Sequence, residues 1–137
     1  VDFCKARGLG CDFNPTFFSH PRCDPLTLSS PNEATRRFWI DHGIRCLEIA
    51  DYFAKELNST CGINFWCPDG YKDEPSDRLG PRKRMADSLD RIFRKAKYDR
   101  KRVIPFLESK LFGIGVESYT VNSTFVLMSE NEDGTVS

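Results

Sequence analysis

No run of this chain approaches the ~20 consecutive apolar residues that a helical bilayer span requires, so a transmembrane helix is excluded. Neither charge is in surplus: 20 basic side chains balance 20 acidic ones. That leaves no global attraction toward nucleic acid or an anionic membrane surface. Histidine is scarce, with two residues, and no H-E-x-x-H helix, phosphate-binding Walker loop, dinucleotide fingerprint or serine nucleophile elbow is present. The six cysteines, at 4, 11, 23, 46, 61 and 67, include no C-x-x-C pair. Zinc-type spacing is therefore missing, and reduced, partly buried thiols in an intracellular protein are the expectation. The first residue is Val1 and no signal-like apolar region follows it, which fits an excised or processed chain.

What is present is enough for one folded domain. Of 137 residues, 39% are hydrophobic and 12% aromatic, with eleven Phe, which is too apolar for wholesale disorder. Residues 9–13 read as a short strand stopped by Asn14-Pro15. Residues 16–29 read as a loop in which Phe17 and Phe18 must find something to pack on, and in which His20 is more simply a hydrogen-bonder than a ligand. A long helix is predicted from Pro31, with Ser30 as cap and Glu33 completing a capping box. Its face is Ile40, Ile44, Leu47, Ala50, Ala54 and Leu57, widened by Trp39, Cys46, Ile49 and Phe53, and Asn58 is its stop. Residues 61–66 form the second strand, 67–73 a turn-rich loop, and 81–96 a second helix with the stripe Met85, Leu89, Ile92, Phe93 and Ala96. Strand, helix, strand, helix, strand is the order of parallel βαβ units. Three such strands make too narrow a sheet to stand by itself, and a closed (β/α)₈ barrel needs ~250 residues. The expectation is three βα units of a partial TIM barrel.

The chain is organised around VIPFLESKLFGIG, residues 103–115. Alternation puts Phe106, Glu108 and Lys110 on one face of a strand, with two opposite charges where that strand runs out. Strand ends are where parallel α/β proteins bind ligands. The topology predicts a common rim holding Asp12 and Asn14, then Trp66 and Asp69, then Glu108 and Lys110. An aromatic surface beside convergent carboxylates suits a sugar, and hard oxygen donors suit Mg²⁺ or Mn²⁺. Taken one at a time, Trp66 is as readily a core residue, Asp69 a turn residue of Pro-Asp-Gly, and Glu108 with Lys110 an ion pair capping a strand. A second candidate is the basic stretch 78–102, with eleven Arg or Lys and three Asp. With no interleaved aromatic platform it reads better as a solvated helix face than as an RNA site.

Three long ungapped motifs resemble the L-rhamnose isomerase family: FNPTFFSHP at 13–21, PDGYKDEPSDRLGPR at 68–82 and ESKLFGIGVESYTV at 108–121. FWIDH at 38–42 and the run into NFWCPDG at 64–70 agree with them. The resemblance implies a (β/α)₈ barrel that interconverts L-rhamnose and L-rhamnulose with a divalent metal, usually Mn²⁺, in cytoplasmic homo-oligomers. By that resemblance Glu108 is a metal ligand, Lys110 a catalytic and substrate-binding residue, Trp66 the tryptophan against the sugar, and Phe18 an apolar pocket wall. The family's remaining ligands, Asp and His residues of later strands, have no counterpart here. Residues 122–137 depart from the family pattern. Residues 1–121 are thus expected to be the central segment of the isomerase domain, with 122–137 a poorly ordered tail and the 137-residue chain inactive alone. The alternative is a truncated, non-catalytic interaction module working through the basic helix 78–102. The isomerase reading expects no nucleic-acid or membrane partner, whereas salt-sensitive RNA binding would favour the module.

Overall fold

The structure is a computed structural model, and it describes residues 1–23, 26–71, 76–108 and 117–118. Its elements in order are α1 (Asp2–Lys5), α2 (Glu33–Glu56), β1 (Cys61–Trp66), β2 (Gly70–Tyr71), α3 (Gly80–Lys95), β3 (Val103–Glu108) and β4 (Glu117–Ser118). β1 and β3 run parallel, in register from Cys61 opposite Val103 to Trp66 opposite Glu108. This is an α/β architecture with a small parallel sheet, as the alternation of helical and strand periods requires. None of the described helices is long and apolar enough to cross a membrane.

The expected first strand, 9–13, contracts to one parallel bridge, Phe13 with Ile63. Phe13 donates its N–H to the Gly62 carbonyl at 2.7 Å and accepts from the Asn64 N–H at 3.1 Å. The next rung is lost because a side chain takes it: the Asp12 carboxylate accepts the Gly62 N–H at 2.7 Å. A second ribbon, absent from the sequence reading, pairs β2 antiparallel with β4.

α2 begins two residues later than its capping-box pattern suggests. Asn32 is the cap, and its side-chain oxygen accepts from the N–H groups of Ala34 and Thr35 at 2.9 and 3.2 Å. Ser30, two residues before it, is buried and accepts from the Asn32 N–H. Pro31 therefore lies outside the helix. The other end matches expectation: Leu57 caps it and Asn58 follows at φ +47°, a left-handed position that asparagine tolerates better than most residues. α3 starts at Gly80, whose N–H donates to the Asp77 carboxylate at 2.7 Å. A Cβ there would crowd the Asp77 carboxylate, so the exposed Asp77 side chain would have to swing aside for a larger residue.

Both helices cover the same face of the sheet. Cys61, Ile63 and Phe65 alternate inward along β1, joined by Val103, and meet Leu47, Ala50 and Ala54 of α2 and Met85, Leu89 and Ile92 of α3. Gly43 lets the helices close on the strands, since a Cβ there would lie 2.6 Å from Ile92 and 3.4 Å from Phe65. The turn before β3 is fixed from α2: the buried Asp51 carboxylate accepts the Asp99 N–H at 2.9 Å. Burial of this apolar face is the main favourable term in the fold.

Candidate functional site

The other face of the sheet is uncovered among the described residues. Gly62, Asn64 and Trp66 alternate onto it from β1 and are partly exposed. Their register partners are Ile104, Phe106 and Glu108. Ile104 and Phe106 are 44% and 54% exposed, although both are large and apolar. Strand period places the two sets on one surface.

At the carboxyl end of this surface Trp66 and Glu108 are direct neighbours across the parallel pair. Phe18 stacks on Trp66, with ring centroids 4.6 Å apart and planes at 26°. The indole Nε1 of Trp66 is buried with no hydrogen-bond partner among the described residues. Glu108 is half-buried, and the Asn64 amide donates to its Oε2 at 2.5 Å. A carboxylate with one oxygen steadied in this way is pre-oriented toward a ligand. Lys110 lies outside the described residues.

The loop carrying Phe18 is held from beneath. Phe17 is fully buried and stacks on Trp39 at 5.6 Å, with the ring of Phe65 also 5.6 Å away. His42 Nε2 meets the Thr16 carbonyl at 3.1 Å, so the Nε2–H tautomer donates there. Burial pushes the His42 imidazole below its ordinary value, outweighing the Thr16 bond, while His20 and Arg45 push it the same way as burial. His20 packs on Phe38 and Trp39 and accepts the Arg22 N–H on Nδ1, a hydrogen-bonding role.

The expected rim is narrower than the topology implied. Asp12 binds the second residue of β1, four positions short of Trp66 and so roughly 13 Å below it along the strand. Asn14 sits at that lower level too, beside Asn64 and Phe106 in a shallow hollow of the open face. Asp69 turns away altogether. It is fully buried and spends its carboxylate on Thr27 and Ser29, and the expected Pro-Asp-Gly turn is not formed: Gly70 opens β2 instead. Trp66, Phe18 and Glu108 are the expected site residues that the described structure brings together.

Among the described residues no group of three or more His, Cys, Asp or Glu could hold a metal ion. Glu108 is nevertheless a hard oxygen donor of the kind Mn²⁺ or Mg²⁺ prefers. By itself it could supply only one residue of a coordination set. The six cysteines are thiols. Burial raises Cys46 to about 12 and Cys61 to about 11, and Cys67 well above its usual range, which makes them packing residues rather than nucleophiles. Much of the basic stretch is engaged locally: Arg91 with Asp87, Arg94 with Asp90, Arg102 with Asp99, and Arg84 with the Ser29 carbonyl.

Parallel strands with helices covering one face make this an α/β protein, with a carboxylate and an aromatic stack at the strand ends. The L-rhamnose isomerase family (RhaA) matches residues 1–133, and the chain belongs to that family. Relatives named L-rhamnose isomerase are 54% identical over 124 residues in Listeria monocytogenes serotype 4a (strain HCC23) and 52% over 124 in Lactiplantibacillus plantarum. One from Mannheimia succiniciproducens is 50% identical over 123 residues. Each match takes in 90% of this chain, which spans only 29% of the relative's length.

Asn64 and His42 escaped the sequence reading as site residues. Alternation signals Asn64, which shares parity with Trp66. His42 left no signal, because its partner is a backbone carbonyl 26 residues away.

Proposed function

We propose that this chain forms consecutive βα units of a (β/α)₈ barrel and supplies one sector of the sugar site of a metal-dependent, cytoplasmic, homo-oligomeric L-rhamnose isomerase. The observation that carries the reading is the pairing of Trp66 with Glu108 on the open face of a parallel sheet whose other face is helix-covered. In a barrel the helix-covered face is the outside and the open face is the interior. Exposed Ile104 and Phe106 then have a reason to be apolar.

Each residue has a role in that setting. The Phe18–Trp66 stack presents apolar surface to the sugar's carbons, and the unpaired Trp66 Nε1–H is a donor awaiting an oxygen. Glu108, steadied by Asn64, would hold a divalent cation with ligands from elsewhere in the barrel. When bound, that cation would polarise the sugar oxygens. The reaction adds and removes no atoms: one hydrogen moves from C2 to C1 and one proton from O2 to O1, so the C2 hydroxyl becomes a carbonyl and the C1 carbonyl a hydroxyl. Lys110, two residues beyond Glu108, is by resemblance the lysine that lines the same site, with a catalytic and substrate-binding role.

The test is a chimera in which residues 1–121 replace the corresponding segment of a full-length relative. It should fold, assemble and convert L-rhamnose to L-rhamnulose in a Mn²⁺-dependent manner. A folded, assembled chimera with no turnover would refute the reading. Salt-sensitive RNA binding by that inactive protein would favour the interaction-module alternative.

A further inference from the structure

The most enclosed charged group among the described residues is not at the proposed sugar site. Asp69 is fully buried. Its Oδ2 accepts from the Thr27 N–H at 2.7 Å, the Ser29 N–H at 2.9 Å and the Ser29 hydroxyl at 2.6 Å. Its Oδ1 accepts from the Thr27 hydroxyl. Thr27, Leu28 and Ser29 are themselves completely buried. Their outward carbonyls are spent on α3: Ser88 Oγ donates to Leu28 O at 2.7 Å and Arg84 Nε to Ser29 O at 2.7 Å. One carboxylate therefore gathers the donors of a turn whose acceptors are held by a helix.

The location gives this clamp its meaning. Cys67, Pro68 and Asp69 follow Trp66 directly and are all buried. Asp69 thus fixes the backbone three residues past the indole that stacks on Phe18. A buried carboxylate is expensive to desolvate and needs several donors at once, so it tolerates one geometry. We propose that Asp69, through Thr27 and Ser29, is a positioning residue that sets Trp66 at the sheet end for sugar binding. The inference rests on the sugar-site reading above, but its structural half can be scored separately.

The experiment uses the full-length chimera. Asp69→Asn keeps the shape, removes the charge and turns an N–H₂ group toward donors. It should raise KM for L-rhamnose by about tenfold while kcat changes by less than about twofold, the signature of lost binding geometry. Thr27→Val removes one donor and should raise KM about threefold, whereas Thr27→Ser keeps the hydroxyl and should leave KM unchanged. If Asp69→Asn fails to fold, the Val and Ser pair at position 27 decides the matter. A lower Tm with unchanged KM in Asp69→Asn and Thr27→Val would reduce Asp69 to a structural anchor and overturn the proposal. Should the unsubstituted chimera turn over no sugar, the functional reading fails. The clamp is then scored from Trp66 emission, taken as the difference from a Trp66→Phe variant. A shift in Asp69→Asn sustains the positioning half, and an unshifted spectrum overturns it.

Discussion

The two faces of the β1–β3 sheet are made by the same twelve residues and behave as different materials. The inner-facing set, Cys61, Ile63, Phe65 and Val103, is sealed beneath two helices. The opposite set mixes glycine, amide, indole, carboxylate and exposed hydrocarbon. Each face obeys the period of two, but only one is explained by burial. The difference teaches that a strand's sequence can encode a core on one side and a binding surface on the other. The polar members of the less hydrophobic side mark the surface.

Substitutions should separate the faces cleanly. The largest effect is on the sealed side. Ile63→Ala in the chimera should cost about 2–5 kcal/mol of stability, visible as a large fall in Tm, with KM unchanged in whatever protein still folds. A specific rise in KM would break the division. On the open side Glu108→Gln should lower kcat/KM by about a hundred- to a thousandfold and shift Tm by about 2 °C or less. Lys110→Met should lower turnover more than metal affinity, because the alkyl stem survives while the charge is lost.

A smaller effect concerns His42, which underpins the loop of Phe18 from the sealed side. Its folded-state value lies below its ordinary 6.5 because of burial. The unfolded chain therefore binds the proton more readily, and stability should decline as pH falls from about 6.5 through the lowered folded value. His42→Gln should flatten that part of the stability profile. An unchanged profile would show that the imidazole does not report on this packing. The least effect is chemical: at pH 8 an alkylating reagent should label the half-exposed Cys4, Cys11 and Cys23 well before Cys46, Cys61 and Cys67, which burial keeps protonated.

Much of this was legible in the chain. Helical periodicity set the α2 face except at Ile49, expected to widen it but 41% exposed; i,i+4 pairs such as Asp90 with Arg94 formed as spaced, and alternation put Trp66 and Glu108 on one surface. Two of the features that escaped depend on partners distant in sequence, and the cap of α2 on a local competition. The first strand shrank because the Asp12 side chain competes with backbone for Gly62. The α2 cap moved because Asn32 outcompetes Ser30 once Ser30 is buried. Asp69 left the rim because its donors, Thr27 and Ser29, lie 40 or more residues upstream. No local pattern carries that information.

The central claim is that the open face carries the metal and sugar site while the sealed face carries the fold. Calorimetric titration of Mn²⁺ into the chimera and into its Glu108→Gln variant tests it most directly. The account predicts a loss of affinity on the order of a hundredfold or more on removing that one charge, with both proteins melting at nearly the same temperature. Equal Mn²⁺ affinity in the two proteins, or affinity lost only together with the fold, would contradict it.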